Sequence, residues 1–558
     1  MMIADSLLRA FSVTGDDTAR IQQLRKVVVA SAVAGKLYSD SAVFSPREMA
    51  QVVEEVKANL FKRRVISKPK KFQSVDESEL PEGFLDASRF APLGSLAQVK
   101  KGMTGIKQAL PGPFPLVVTS AERASCDHFD FEGAAAIIPL VSSTGHGHAS
   151  LNRLHYQEGR FALGTILAAV FPYDSKLVSA RFIFEYLSAF REDLLVTRMT
   201  GTANVTLSIG RISEVPVPLI DPMIQAKVDE LMALLDQLEA ARADREATRD
   251  RLTAASLARL TAPDAEAEDF TTHARFALDA LPALTARPDQ IKQLRQAILD
   301  LAVRGKLVEQ DPEDEPASEL LKRIAAEKKR KGIKQSIFPL DDEEILFELP
   351  ASWSWTRIGE ICSKTGSGST PSGGKGAYKT SGVPFLRSQN VYNEGLRLEG
   401  VAFIDTQTHE RMKGTRVLSG DLLLNITGGS MGRCGRVPDD CEEANISQHV
   451  AIIRLAVRGM DRFLHNLILS PYFQAFIFDK QTGAGRGGLP KNRLDKIAVP
   501  LPPLAEQHRI VAKVDALMAL CDRLEAALAT TDTTQQKLLE AVLSEALTPL
   551  DAVAVAAQ

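Results

Sequence analysis

No stretch of the 558 residues reaches the roughly 18–20 consecutive apolar positions that a membrane-crossing helix needs. The opening MMIADSLLRAFSVTGDD has no basic segment followed by an apolar one, so no secretory signal is expected. Cysteine is scarce: Cys126, Cys362, Cys434, Cys441 and Cys521 lie far apart with no CxxC pair. That pattern argues against a disulfide framework or a structural zinc and points to the reducing cytoplasm. A basic excess is also missing, since 67 Lys and Arg face 70 Asp and Glu for a net charge of −3. Catalytic signatures are absent too. GSTPSGGKG lacks the Gly-x4-Gly-Lys-Ser/Thr of a phosphate-binding loop, because position 369 is Ser and Lys375 precedes Gly376. There is no Asn-Pro-Pro-aromatic or Asp-Pro-Pro-Tyr element of an amino-methyltransferase and no H-E-x-x-H. GHGH at Gly145–His148 has no nearby Cys or acidic partner to complete a tetrahedral set, so no metal site is expected.

What remains is an ordinary globular composition, 45% hydrophobic and 25% charged, in a chain too long for one core. The charge is unevenly spread. Residues 351–500 hold 19 basic and 13 acidic residues, residues 81–220 hold 12 of each, and the rest is left with 36 basic against 45 acidic. Binding of nucleic acid by the second region is therefore permitted but not demanded.

The chain repeats itself. QLRKVVVASAVAGKL (Gln23–Leu37) returns as QLRQAILDLAVRGKL (Gln293–Leu307) with eight of fifteen positions identical. AKVDELMALLDQLEA (Ala226–Ala240) returns as AKVDALMALCDRLEA (Ala512–Ala526) with twelve of fifteen. LPEGF at Leu80 pairs with LPASW at Leu349, and VPL recurs at Val217 and Val499. Repeats in one order, near half the chain length, mark a tandem duplication. Each half runs short helix, linker, globular domain, VPL, long helix. The divisions expected are a helical region 1–79, a first globular domain 80–220, a central helical spacer 221–335, a second globular domain 336–501 and a helical region 502–558.

Pro222 suits the first turn of a helix, and no Gly or Pro follows before about Leu260. Val228, Leu231, Leu235 and Leu238 recur at coiled-coil spacing, as do Val514, Leu517, Cys521, Leu524 and Leu528, continued by Thr531, Gln535, Leu538 and Val542. These seams predict a pair of long antiparallel helices. Residues 351–500 read as short strands and turns (GVPFL, DLLLNI, VAIIRL), and residues 85–220 as strands followed by a helix from Leu177 to Leu195. Lys328–Lys334 reads as a solvated helix end. Outside the flanking motifs the two globular domains hardly resemble one another.

At this point the residues resemble the specificity subunits of Type I restriction–modification enzymes. The resemblance rests on QLRQAILDLAVRGKL with EPASELLKRI, LPASWSWTRIGEI, GSGSTPSGG, PFLRSQNV, SGDLLLNITGGSMGRCG and VPLPPLAEQHRIVAKVD, in that order. It covers nearly all of the second half and the helical parts of the first. The first globular domain departs from it, lacking a GSTPS-like turn and a GDLL strand. The resemblance implies an α+β fold with two target-recognition domains related by a pseudo-twofold and separated by the coiled-coil helices. It further implies double-stranded DNA as ligand, two methyltransferase subunits docked on the helices through Val228, Leu231, Leu235, Leu238, Val514, Leu517, Leu524 and Leu528, and a restriction subunit in some systems. The chain itself would be no enzyme. S-adenosylmethionine would belong to the methyltransferase, and ATP and magnesium to a nuclease partner. A coiled-coil scaffold that reads no DNA, a recognition subunit of a related modification system and a self-sufficient methyltransferase or nuclease are the alternatives.

Side chains able to reach base edges or phosphate from loops are the candidate contacts. In the second domain these are Arg387, Ser388, Gln389 and Asn390; Thr427, Ser430 and Arg433; Lys375 and Tyr378; and Arg486, Lys491 and Arg493. The competing reading is that such Asn and Ser residues satisfy their own turns. In the first domain the candidates are Arg123, His146, His148, Asn152, Arg153 and Asn204.

Overall fold

The computed structural model describes residues 18–37, 45–66, 68, 70–144, 148–202, 204–260, 272–273, 275–277, 279–280, 284–334, 339–341, 344–478 and 488–547. Among its helices are α1 (Thr18–Val33), α2 (Ala180–Ala189), α3 (Pro222–Leu260), α4 (Pro288–Val303), α5 (Ala317–Arg330), α6 (Asp461–Leu469) and α7 (Leu504–Leu547). The chain divides into two compact units, Met1–Glu246 with Thr531–Gln558, and Ala247–Thr530. Both long helices, α3 and α7, are therefore shared between units.

In the first unit, α3 opens at Pro222 with the Asp221 carboxylate accepting from Met223 N at 2.8 Å. Val228, Met232 and Leu235 of α3, Leu539 of α7 and the apolar face of α1 share one core, with Leu231 and Val542 at its margin. In the second unit Ile510, Val511, Val514 and Cys521 of α7 pack with Ile291, Ile298 and Ala302 of α4, with Leu517, Leu524 and Leu528 against them. The seam is thus filled by the unit's own repeat helix. Beyond Leu528 the expected phase fails at Leu538, which is exposed while Leu539 is buried; Gln535 and Val542 remain half-buried.

The duplication is visible atom by atom. Arg25 on α1 binds Asp236 and Glu239 of α3 through Nη2, at 2.6 and 3.0 Å, with Nη1 3.9 Å from Met232 Sδ. Arg295 on α4 binds Asp522 and Glu525 of α7 at 2.6 and 3.1 Å, with Nη1 3.8 Å from Met518 Sδ.

Among the described residues each unit carries two four-stranded sheets and a two-stranded ribbon. The first unit's strands are β1 (Phe90–Pro92), β2 (Ala97–Lys101), β3 (Phe114–Val117), β4 (Ala124–Cys126), β5 (Phe131–Glu132), β6 (Ala135–Pro139), β7 (His155–Gln157), β8 (Arg160–Leu163), β9 (Leu167–Pro172) and β10 (Pro216–Pro218). Their orders are β2-β9-β6-β7, β4-β3-β8-β5 and β1-β10. The second unit has β11 (Ser354–Arg357), β12 (Cys362–Ser367), β13 (Val383–Leu386), β14 (Val391–Tyr392), β15 (Gly395–Leu396), β16 (Ala402–Ile404), β17 (Arg416–Val417), β18 (Leu422–Asn425), β19 (Cys434–Arg436), β20 (Ala444–Ile446), β21 (Val450–Leu455) and β22 (Ala498–Leu501). Its orders are β12-β21-β18-β19, β16-β13-β20-β17 and β11-β22, with a small extra hairpin β14-β15.

Strand for strand, the two topologies are the same. Each has one parallel pair, β3–β8 and β13–β20. The GDLL strand that seemed missing from the first domain is present as β6, whose letters AAIIP differ while its place in the sheet does not. Both strands are buried on two faces. In β6, Ala136 and Ile138 face the helices while Ala135 and Ile137 face the second sheet. In β18, Leu422 and Leu424 face the helices and Leu423 faces the second sheet. A strand buried on both sides reads as a continuous apolar run, so volume is constrained and identity is not.

Two further expectations change. The helix foreseen over Leu177–Leu195 breaks at Phe190 (φ −114°, ψ 30°) into α2 and a single turn, Arg191–Leu194. Lys328 is not on a solvated end: it is buried and donates to the carbonyls of Gly359 and Glu360, both at 2.9 Å. Burial pulls its ammonium below the usual lysine range.

Candidate nucleic-acid interface

In the second unit, loops from both sheets converge. After β13 the chain turns through Arg387, Ser388, Gln389 and Asn390. Asn390 is buried: its Oδ1 accepts from Arg387 N at 3.1 Å and its Nδ2 donates to Arg397 O at 3.0 Å. It shapes the turn and presents nothing outward, so for this residue the turn-satisfying reading holds. Gln389 is exposed and Ser388 half-buried. Arg387 lies over the Tyr378 ring at 5.8 Å and donates to Gly400 O at 3.3 Å.

Asn425, buried at the end of β18, ties this loop to the next. Its Nδ2 donates to Ser388 O at 2.9 Å and to Ser430 Oγ at 3.1 Å. Thr427 Oγ1 lies 2.7 Å from His449 Nδ1, in the turn between β20 and β21. Gly428-Gly429-Ser430-Met431-Gly432 matches the letters of a nucleophile elbow, yet such an elbow needs a strand-to-helix turn. Here it closes the antiparallel pair β18–β19, so Ser430 holds a turn. Arg433 is exposed beside Tyr392. Leu489 N donates to Ile426 O at 2.9 Å, bringing the start of the 488–491 segment alongside.

Two of the predicted residues there are already engaged. Lys491 pairs with Asp495, and Arg493 donates to Phe476 O at 3.0 Å. Arg486 and the side chain of Lys375 lie outside the described residues. Sequence reasoning missed Tyr392, Arg397, Gln448 and His449. Only the strand order shows that the turn after β20 abuts the loop after β13, where Ser447 N donates to Leu386 O at 2.9 Å.

The first unit repeats this backbone frame. Gly164 N donates to Val117 O, and Gly102 N to Leu167 O, as Ser447 N does to Leu386 O and Gly368 N to Val450 O, all between 2.9 and 3.0 Å. A Cβ on Gly102 would lie 2.1 Å from Gly164 O, and one on Gly368 2.0 Å from Ile446 O. Both positions demand glycine through close backbone approach.

On this frame the 140–154 loop brings His148, Asn152 and Arg153 to the surface, all exposed. Ser142 N donates to Val205 O at 3.0 Å, next to exposed Asn204. His146 lies outside the described residues. Arg123 is committed inward. It donates to Gln157 Oε1 at 3.0 Å and Tyr156 O at 3.2 Å, and its Nη1 lies 3.0 Å from His155 Nδ1. Burial, then the charges of Arg123 and Arg153, push the His155 imidazole down to about 4. A cleft of about 830 Å³ between α1, α2 and β7 is lined by Arg25, Lys26, Arg123, Arg153, Arg181 and Arg191, with Glu185 and Asp236 the acidic members.

The arrangement is therefore two copies of one frame, each aligning amide, hydroxyl and guanidinium groups at loop tips. A family model described as the Type I restriction modification DNA specificity domain matches residues 350–531. The chain is 35% identical over 574 residues to the EcoAI specificity subunit of Escherichia coli, across 95% of this chain and 94% of that one. The chain belongs to the Type I restriction enzyme specificity subunits.

The Escherichia coli EcoEI specificity subunit is 34% identical over 278 residues, 46% of this chain and 43% of its own. A solved HsdS subunit from Thermoanaerobacter tengcongensis aligns over 83% of this chain and 97% of its own, at 16% identity and a TM-score of 0.40. The family model matches the second copy of this specificity subunit, and the first copy declares itself through strand order. Among the described residues no helix is long and apolar enough to cross a membrane.

Proposed function

We propose that this specificity subunit reads an asymmetric, bipartite site on double-stranded DNA, one half with each unit, and docks two methyltransferase subunits that do the chemistry. The observation that carries the reading is the shared frame with unequal loops. Between β3 and β4 lie six residues, 118–123, and between β13 and β16 fifteen, 387–401. Between β6 and β7 lie fifteen, 140–154, and between β18 and β19 only eight, 426–433. A duplicated frame places two readers in the same way, and different loops make them read different bases.

Net charge near zero in residues 81–220 suits readout by polar groups at base edges better than capture by charge alone. The chain itself carries out no reaction. S-adenosylmethionine belongs to the methyltransferase, and ATP and magnesium to a restriction subunit where one joins. Co-expressing the chain with its methyltransferase subunit and mapping methylated positions across the host genome tests this. A bipartite, asymmetric motif that disappears when the chain is omitted is expected. Methylation that persists unchanged without it would overturn the proposal.

A further inference from the structure

The hairpin β14–β15 of the second unit has no counterpart among the described residues of the first. It carries Tyr392, and two guanidinium groups lie over that ring: Arg397 at 3.8 Å and Arg433 at 5.0 Å from the centroid. Both arginines are exposed. Among the described residues neither guanidinium has a carboxylate or carbonyl partner. Their neighbours behave differently: Arg416 is tied to Glu410, Arg436 to Asp439 and Asp461, and Arg454 to Asp421.

The stack is held from below. Tyr392 pairs with Gly395 across the hairpin, and Asn390 Nδ2 holds Arg397 O. Asn393 Oδ1 accepts from Cys434 N at 3.2 Å, pinning the hairpin to β19 and so to Arg433. A guanidinium resting on an aromatic face keeps its planar fork oriented, with its N–H donors directed outward from the ring edge. Such a fork can also grip a phosphate with two N–H donors, although a lysine meets a phosphate without it. The held orientation matters for the paired acceptors O6 and N7 of guanine in the major groove. Ser430, next to Arg433 in the β18–β19 turn, and Ser388, tied to it through Asn425, offer neutral hydrogen-bonding hydroxyls on the same loops, which suits a base-edge surface.

We infer that the Arg397–Tyr392–Arg433 stack is the guanine-reading element of the second unit, so that the half-site read by this unit contains a G·C pair bound by one of these arginines. The inference rests on the DNA-reading assignment above and adds the base and the device that reads it.

The test is the methylation motif of the full complex with wild-type chain, R397K, R433K and Y392L. Lysine keeps the charge and loses the fork; leucine keeps the hairpin and loses the stacking face. One arginine-to-lysine variant is expected to relax a single G·C position in one half-site, by roughly 5- to 100-fold in discrimination. Y392L is expected to relax the same position while the other half-site stays intact. Persisting methylation at relaxed sites shows that the variants fold. A half-site without any G·C pair, an unchanged motif in all three variants, or a uniform loss over all sequences with the motif retained would each overturn the inference, the last by making the arginines phosphate contacts. Failure of the broader reading looks different, since there no motif depends on the chain at all.

Discussion

Asp421 offers a direct test of how the second unit holds its reading loops. It immediately precedes β18, and its side chain is 1% exposed. Arg454 on β21 grips both of its oxygens, Nε to Oδ1 and Nη2 to Oδ2, each at 2.7 Å. Leu418 N donates to Oδ2 at 2.7 Å as well. Asp421→Asn keeps the shape but sets an NH2 group among donors and leaves the Arg454 charge without its counter-ion. Removing one member of a fully buried pair costs about 3–5 kcal/mol. The Arg454 side chain keeps 24% exposure, so water recovers part of that, and about 2–3 kcal/mol is expected. At about 2–4 °C per kcal/mol for domains of this size class, the melting temperature should fall by roughly 4–12 °C.

Thermal unfolding followed by circular dichroism, with Asp421→Asn, Arg454→Met and the double variant, gives the measurement. The double variant should melt closer to wild type than Asp421→Asn does, because it removes the stranded charge together with its partner. A drop below about 1 °C for Asp421→Asn, or strict additivity in the double variant, would refute the reasoning. Because β18 ends at Asn425, which ties the turns at Ser388 and Ser430, the same variant should blur methylation in one half-site before the other.

Other perturbations follow from the same contacts. The His155 imidazole, held near 4 against about 6.5 when unfolded, is neutral in the fold, so the unfolded chain binds more protons between these values. Stability should therefore fall as pH drops from about 6.5 to 4, by up to about 3 kcal/mol, and level off below. His155→Gln should remove that slope in pH-dependent melting, and an unaltered slope would assign it elsewhere. Gly102→Ala and Gly368→Ala each drive a methyl into a backbone carbonyl near 2 Å away. Each should cost at least about 2 kcal/mol in denaturant unfolding, and wild-type midpoints would show that the frame yields. Deleting four residues of α3 between Asp229 and Leu260 shortens it by about 6 Å. The mapped motif should then keep both half-sites and change its spacer; altered half-sites would refute a ruler role.

Much of this was readable in the letters, for a physical reason. The helical repeats kept their residues because each makes a paired contact: Arg25 and Arg295 each need two acids one helical turn apart, and a methionine beside them. The sheets kept only their geometry. β6 and β18 occupy one place in the frame, yet AAIIP and LLLN share no positions beyond apolar character, because a strand buried on both faces constrains volume rather than identity. The Val-Pro of β10 and β22 and the close-approach glycines Gly102 and Gly368 are common to both, too few to align the strands between them by. The missed site residues follow the same logic. Tyr392 and Arg397 sit in a hairpin with no repeat partner, so a search by self-similarity passes over them. Asn390 was chosen for a side chain that suits DNA, but a short polar side chain after a strand serves its own turn just as well.

The unequal loops bear on how one frame can come to read two sequences. Where the first unit extends, through 140–154, the second is short, and where the second extends, through 387–401, the first is short. Each extension runs from an interior strand, β6 or β13, to the edge strand beside it, β7 or β16, so the pairing of the central strands is left as it is. Hydrogen bonds such as Gly102 N to Leu167 O and Gly368 N to Val450 O are kept in both copies. Stability and specificity are thereby assigned to different residues of the same strands. The frame accepts no Cβ at its closest approach, while its connecting loops accept nine extra residues in one place and seven in another. A duplicated domain built this way can change what it reads in one half without altering how either half is held.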